Sequence, residues 1–424
     1  MSFLKGLIQI LALLFGLLFI FLEIYEDLYV FVPGWYDFAF NVEYDLLRAS
    51  IFLIFLAFIV SIYRDLISGN FYLNLLIYFP YFFQTVLTIG NPSYFEFWLF
   101  STMIIISIVI FQRILSKYTL ISNRKLVLNV NLACWCLVFF TFATGLLIYF
   151  FNGRLFSLDF ELTYDLREDI YSNLPIAFVF LFFMITKVII PILIVLFLRT
   201  KSYGGLFVTL LLSIMYFGLT QQKAILFYPF VVLIIYFFGH QLSDFFKFTY
   251  LIACLVFIAF LFPDEWRYFY EYGLVRRTFF IPAWTNLLYY DFFQNNDFLF
   301  WRDSKITFGL FSNPYKKSIP YLIGDSIGAN DGHVNTGWLG SGYMHAGYLG
   351  ILVYGFIIAV TTSFFNKVSN FSDGFFNRNM IYAISFPGYF WLIMSSDLPS
   401  VFFTHGLLYI IMFFLFFRFR YEQA

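Results

Sequence analysis

Apolar runs of bilayer length recur from one end of this chain to the other, and that feature alone decides the fold class. They fall at roughly 3–22, 49–63, 71–90, 96–112, 126–151, 176–198, 205–219, 224–239, 248–262, 344–364, 380–394 and 401–417. A helix crosses the hydrocarbon core with about 20 such residues, and some of these runs fall short of the usual 17 to 25. The expectation is an all-α polytopic membrane protein of about twelve transmembrane helices. Only 12% of the residues are charged and 62% are hydrophobic, against about 25% charged in soluble domains, so a soluble fold is excluded. The 66 Phe and 32 Tyr then serve lipid-facing packing and interfacial belts.

Short-loop cations set the orientation. With the N-terminus in the cytoplasm, the inner side holds Lys5, Arg64, Arg113, Lys117, Arg124, Lys125, Arg199, Lys201, Lys247, Lys367, Arg378, Arg418 and Arg420. Only Arg48 and Lys223 then lie beside short outer segments. Both termini are therefore expected inside. The chain divides into 1–262, with nine spans and a smaller outer loop at 152–175, a large extracytoplasmic loop at 263–343, and 344–424 with the last three spans. The first run is read as a retained span, because Glu23 to Asp27 behind it is acidic and bulky, unlike a small-residue cleavage site.

Several function classes drop out. Net charge is zero, which gives no reason to expect nucleic acid as a partner. Cys134, Cys136 and Cys254 sit in apolar runs and make neither a disulfide framework nor a metal motif. No Walker A lysine motif and no GxGxxG on a strand–helix unit is present, and the inner loops are short. An enzyme driven by a cytoplasmic nucleotide does not fit.

Chemistry is expected in the polar stretch Pro263 to Tyr343. Its cations are Arg267, Arg276, Arg277, Arg302, Lys305, Lys316 and Lys317. Arg276 and Arg277 follow a span, where guanidinium forks match phosphate oxygens at headgroup depth. The alternatives are ordinary lipid headgroups or an ion pair with Glu271. Arg267 and Glu271 stand at i and i+4, which favours a structural pair. Thr278 to Pro282 looks like a helix start, leading into a re-entrant or surface-lying helix over Ala283–Phe293. Glycines crowd the run from Gly324 to Gly350. Those near Gly342 and Gly350 suit small-residue helix packing. In Asn330-Asp-Gly-His333-Val-Asn335, an imidazole beside an acid can take a hydroxyl proton near neutral pH, with Asp331 orienting His333; a loop histidine bonded to backbone is the alternative.

Other polar groups fall in or beside the spans. His345 and His405 allow the weaker idea of an intramembrane acyltransferase histidine. Lys187 lies within a span, where it either snorkels or pairs with a carbonyl, and Lys223 follows Gln221-Gln222 between two short spans. Intramembrane cations are functional candidates by default, and Lys223 is expected to face an anionic ligand. Arg154 and Arg167 in loop 152–175 accompany five acids, which make either a second wall of a cleft or a self-paired loop.

These features together resemble the O-antigen polymerase (Wzy) family of bacterial envelope polysaccharide assembly. The resemblance covers nearly the whole chain as layout: about a dozen spans, inner termini and two outer loops, the larger before the last three spans. Locally it rests on Leu274-Val-Arg-Arg-Thr278, on Asn330-Asp-Gly-His-Val-Asn-Thr-Gly337, and on Lys223 in Gly218-Leu-Thr-Gln-Gln-Lys223, where relatives often carry arginine. It implies a glycosyltransferase of the bacterial cytoplasmic (inner) membrane that needs neither metal nor cofactor. Its substrate would be an undecaprenyl-pyrophosphate-linked oligosaccharide, polymerised outside for lipopolysaccharide or a related surface polysaccharide. Arg276 and Arg277, with Lys223, would bind the pyrophosphate, and His333 or Asp331 would deprotonate the acceptor. Arg154, Arg167 and Arg267 are further substrate-binding candidates, and membrane lipids and a chain-length regulator are the expected partners. Two rivals share much of this layout. An O-antigen ligase differs only in its acceptor, lipid A-core. A lipid-linked oligosaccharide flippase should show two similar halves, which one dominant loop near the C-terminus disfavours.

Overall fold

The computed structural model describes residues 10–11, 14–18, 46–62, 70–117, 126–153, 155–159, 170, 174–263, 266–267, 270–302, 304, 310–328, 333–371 and 375–420. It is mostly helical. Seven of the described helices are long and apolar enough to cross a membrane: Phe71–Ile89, Pro92–Leu115, Val130–Phe151, Ile176–Arg199, Tyr203–Thr220, Ala224–Leu242 and Trp338–Val368. Other expected spans have shorter counterparts. Leu46–Ile62 and Arg378–Met394 have 17 residues each. Phe245–Leu261 ends in a tight 3₁₀ turn. The run at 401–417 is split into Leu398–Phe403 and Leu407–Phe416. The first run is described only at residues 10–11 and 14–18, all helical.

The chain forms two compact units, each discontinuous in sequence. The first comprises Met1–Tyr118, His240–Ser363 and Leu392–Pro399. The Phe71–Ile89 helix lies at its heart, buried along its length, and it carries an unusual number of polar groups for that place. Most find a partner among the described residues, though Asn74 Oδ1 and Gln84 Oε1 are buried without one. Asn70 Nδ2 donates to Gln112 Oε1 at 2.8 Å, and Asn74 Nδ2 donates to the carbonyls of Leu242 and Ser243 at 3.0 Å. Tyr81 and Thr102 hydroxyls pair at 2.6 Å, Gln84 Nε2 donates to Ser101 at 3.2 Å, and Trp98 Nε1 donates to Thr85 at 2.8 Å. Tyr78 pairs with Thr249. Hydrogen bonds of this kind tie apolar helices together where water is scarce. Pro80, which lacks a backbone donor, sits in a π-helical stretch at Ile77–Phe82, a local widening that accommodates the lost bond.

The second unit comprises Thr119–Gly239, Phe364–Trp391 and Ser400–Ala424. Its Ile176–Arg199 helix also widens into a π turn, at Ile185–Ile189, before Pro191. Leu126–Asn129 and Phe417–Arg420 pair as two short parallel strands, with Leu126 opposite Phe417. Helical structure therefore begins at Val130, after the strand, within the run expected to span from 126.

Candidate functional site

The arginine pair lies on a continuous helix of the first unit, π-helical over Glu271–Phe280 and α-helical over Ile281–Gln294. Neighbouring positions on a helix point apart, and here Arg276 is buried while Arg277 is exposed. Pro282 does not begin the helix; it falls in the first turn of the α-helical part, where the ring is tolerated. Trp284, Thr285, Asn286, Leu287, Tyr289, Tyr290 and Phe293 are all buried, so this is no surface-lying helix. Arg267 Nε meets Glu271 Oε1 at 2.8 Å and its guanidinium covers the Phe260 ring at 4.5 Å. That fulfils the structural pairing expected of it, since Glu271 is 2% exposed and its charge requires a partner.

The same helix anchors the histidine segment. Asn286 Oδ1 accepts from the Thr336 hydroxyl at 2.8 Å and from the Gly340 amide at 2.9 Å, while the Tyr289 hydroxyl donates to the Val334 carbonyl at 2.9 Å. His333 itself is exposed, its ring edge-on to Tyr321 at 4.9 Å. The two sequence motifs thus share one scaffold at different levels: Arg277 and Tyr289 stand roughly 18 Å apart along it at 1.5 Å per residue. Nearby, Asp291 accepts from Tyr94 at 2.7 Å. Burial pushes its carboxyl above the usual range, and the Tyr94 bond only partly opposes that. Asp331, Arg154 and Arg167 lie outside the described residues.

Further along, the chain does something the sequence reading missed. The Trp338–Phe371 helix is broken at Ala346 and Gly347, the latter at φ 60° and ψ −139°. The glycines read as small-residue packing do bring helical backbones close together, and they do so across a sharp fold-back at Gly347: a Cβ on Gly350 would lie 2.0 Å from the Gly342 carbonyl oxygen. A break frees the last carbonyls of the helix before it. Residues 299–301 supply the donors: Leu299 N–H to the Met344 carbonyl at 3.0 Å and Phe300 N–H to the His345 carbonyl at 2.8 Å. To do so, Phe300 and Trp301 both adopt positive φ, 48° and 58°.

At this junction His345 is enclosed. The Trp301 N–H donates to its Nδ1 at 3.3 Å, which leaves the proton on Nε2 to point at Asp397 Oδ2, 3.1 Å away. The Trp301 indole stacks on the imidazole at 5.2 Å. The Tyr354 hydroxyl donates to Asp397 Oδ1 at 2.6 Å and accepts from Trp301 Nε1 at 3.1 Å. Asp397 lies in the non-helical link between Arg378–Met394 and Leu398–Phe403.

In the second unit, Gln221 ends the Tyr203–Thr220 helix at φ 54°, its Nε2 donating to the Ser157 carbonyl at 2.5 Å. Lys223 follows, half-buried. Lys187, 1% exposed, does not snorkel. Its amine meets His405 Nδ1 and lies 4.1 Å and 4.5 Å from the Phe183 and Trp391 ring centroids.

The fold is that of a mostly helical protein with seven described helices long and apolar enough to cross a membrane. No family model, curated protein or solved structure matches the chain.

Proposed function

We propose that the chain is a polymerase of polyprenyl-pyrophosphate-linked oligosaccharides, acting as a glycosyltransferase on the outer face of a bacterial cytoplasmic membrane, with twelve spans and both termini inside. The observation that carries this reading is the helix Glu271–Gln294. It presents an exposed guanidinium at Arg277 and, through Asn286 and Tyr289, holds the segment that begins with exposed His333. A membrane-tethered pyrophosphate needs a cation, and a sugar acceptor needs a base; one helix anchors both, at levels about 18 Å apart. The acceptor hydroxyl passes its proton to a base as its oxygen attacks the donor's anomeric carbon; His333, anchored about 18 Å along the helix from the level of Arg277, fills that role only where the bound substrate draws the two together. The glycosyl–phosphate bond breaks, its electron pair leaves with the pyrophosphate, and Arg277 stabilises that charge. The energy resides in the donor bond, so no nucleotide is required.

The test is extension of purified lipid-linked repeats by the purified protein without added metal or nucleotide. A ladder of products is expected, and none longer than one repeat would defeat the proposal. Deleting the gene gives a second check. Core capped with a single repeat indicates a polymerase, core without any repeat a ligase, and lipid-linked units trapped in the cytoplasm a flippase.

A further inference from the structure

Three departures from regular backbone converge on one carboxylate in the first unit. The Trp338–Phe371 helix breaks at Ala346 and Gly347, the chain is non-helical at Asp397, and Phe300 and Trp301 hold positive φ. Non-glycine residues in that region cost of order 1–3 kcal/mol each and cluster where function demands them. In an apolar helical protein, irregular backbone belongs where it is buried or lines a polar cavity. Asp397, like Trp301, is a partly open member of the cluster. Its side chain is 22% exposed against 2% for His345.

The hydrogen bonds settle what this cluster can recognise. Both ring nitrogens of His345 are engaged, Nδ1 by the Trp301 N–H and Nε2 by Asp397, so the imidazole has no free nitrogen for a metal or a substrate proton. Asp397 has one fixed donor on each oxygen. A carboxylate carries about four acceptor positions, so each oxygen can still take another hydrogen bond. Beside it stands the half-buried Trp301, oriented by two hydrogen bonds and by stacking. An oriented carboxylate next to aromatic surface suits a polyol ring, with hydroxyls to donate and C–H faces to cover.

We propose that Asp397 and Trp301 form a carbohydrate-binding subsite, with the Asp397 carboxylate accepting a sugar hydroxyl and Trp301 supplying apolar surface to the ring. His345 and Tyr354 are positioning residues for that carboxylate. The subsite deepens the glycosyl-transfer reading and rests on it, assigning these residues to the sugar end of the lipid-linked substrate.

The probe is the repeat-unit oligosaccharide released by mild acid from lipid carrier extracted from the host cell, titrated calorimetrically into the full-length protein in detergent. Wild type should bind it, and Asp397→Asn should weaken binding about tenfold or more, the scale of one charge-assisted hydrogen bond. Tyr354→Phe should weaken it by roughly two- to fivefold, through loss of the donor that fixes the carboxylate. Equal affinity in a folded Asp397→Asn protein overturns the subsite, as does absence of binding to wild type. Should Asp397→Asn fail to fold, unchanged affinity in Tyr354→Phe overturns it instead. Extension assays separate the two ideas. Sugar binding without any extension by wild type defeats the polymerase and leaves the sugar site standing, whereas extension with Asp397→Asn binding normally does the reverse.

Discussion

At φ 60° and ψ −139°, Gly347 occupies backbone open in practice only to glycine, and a Cβ there would meet the Phe298 ring at 3.0 Å. Gly347→Ala should therefore cost about 1–3 kcal/mol, read as a lower thermal midpoint in detergent. Gly204→Ala is the control, because nothing lies within 4 Å of its Cβ position and its helix gains from alanine. The arginines separate by burial. Arg277→Ala and His333→Ala should each abolish chain extension at normal protein level, and wild-type chain lengths in either would remove that residue from the site. Buried Arg276 should instead lower the midpoint when truncated. Asp291 adds a pH signature. Its folded carboxyl titrates above the unfolded one, so its stabilising contribution is present below the unfolded value, near 4, and is lost as pH rises through the folded value. Asp291→Asn has no such loss. The midpoint of wild type should fall relative to Asp291→Asn as pH rises above the unfolded carboxyl value, and a constant difference would contradict the burial argument.

Among elements, Glu271–Gln294 joins features that are far apart in sequence. If Asn286 holds residues 336–340, Asn286→Ala should cost about 1–3 kcal/mol, the price of stranding the Thr336 and Gly340 donors. Amide exchange should accelerate at 336–340 and stay unchanged in Val130–Phe151 of the other unit; uniform acceleration would point to global loosening. The same helix shows which parts of the fold a sequence can disclose. Apolar length is a local property, so Ile176–Arg199 and Tyr203–Thr220 were visible as runs. Arg267 and Glu271 pair one helical turn apart and were equally readable. The break at Gly347 was not, because glycines spaced for helix packing also suit a sharp fold-back, and only the donors of residues 299–301 decide between them. The His345–Asp397 bond joins residues 52 apart, with Trp301 farther still from Asp397. Neither histidine nor acid carries a local signal of its partner. Lys187 stood out as an intramembrane cation, but its aromatic surroundings come from Phe183 on its own helix and from Trp391 and His405 far along the chain.

For the whole molecule, orientation is the remaining physical question, since the proposed chemistry works only if residues 263–343 face outward. The orientation proposed from cation asymmetry would put exposed Lys117 inside and exposed Lys316 outside. A version lacking Cys134, Cys136 and Cys254 accepts single reporter cysteines. Two of those native thiols are exposed and would otherwise confuse labelling. A membrane-impermeant maleimide applied to intact spheroplasts should modify Lys316→Cys at once and Lys117→Cys only after lysis. The reversed pattern would put Arg277 and His333 in the cytoplasm, on the wrong side for an exported, lipid-linked sugar. It would leave the Glu271–Gln294 scaffold unchanged while removing the reason to regard its exposed cation as a pyrophosphate ligand.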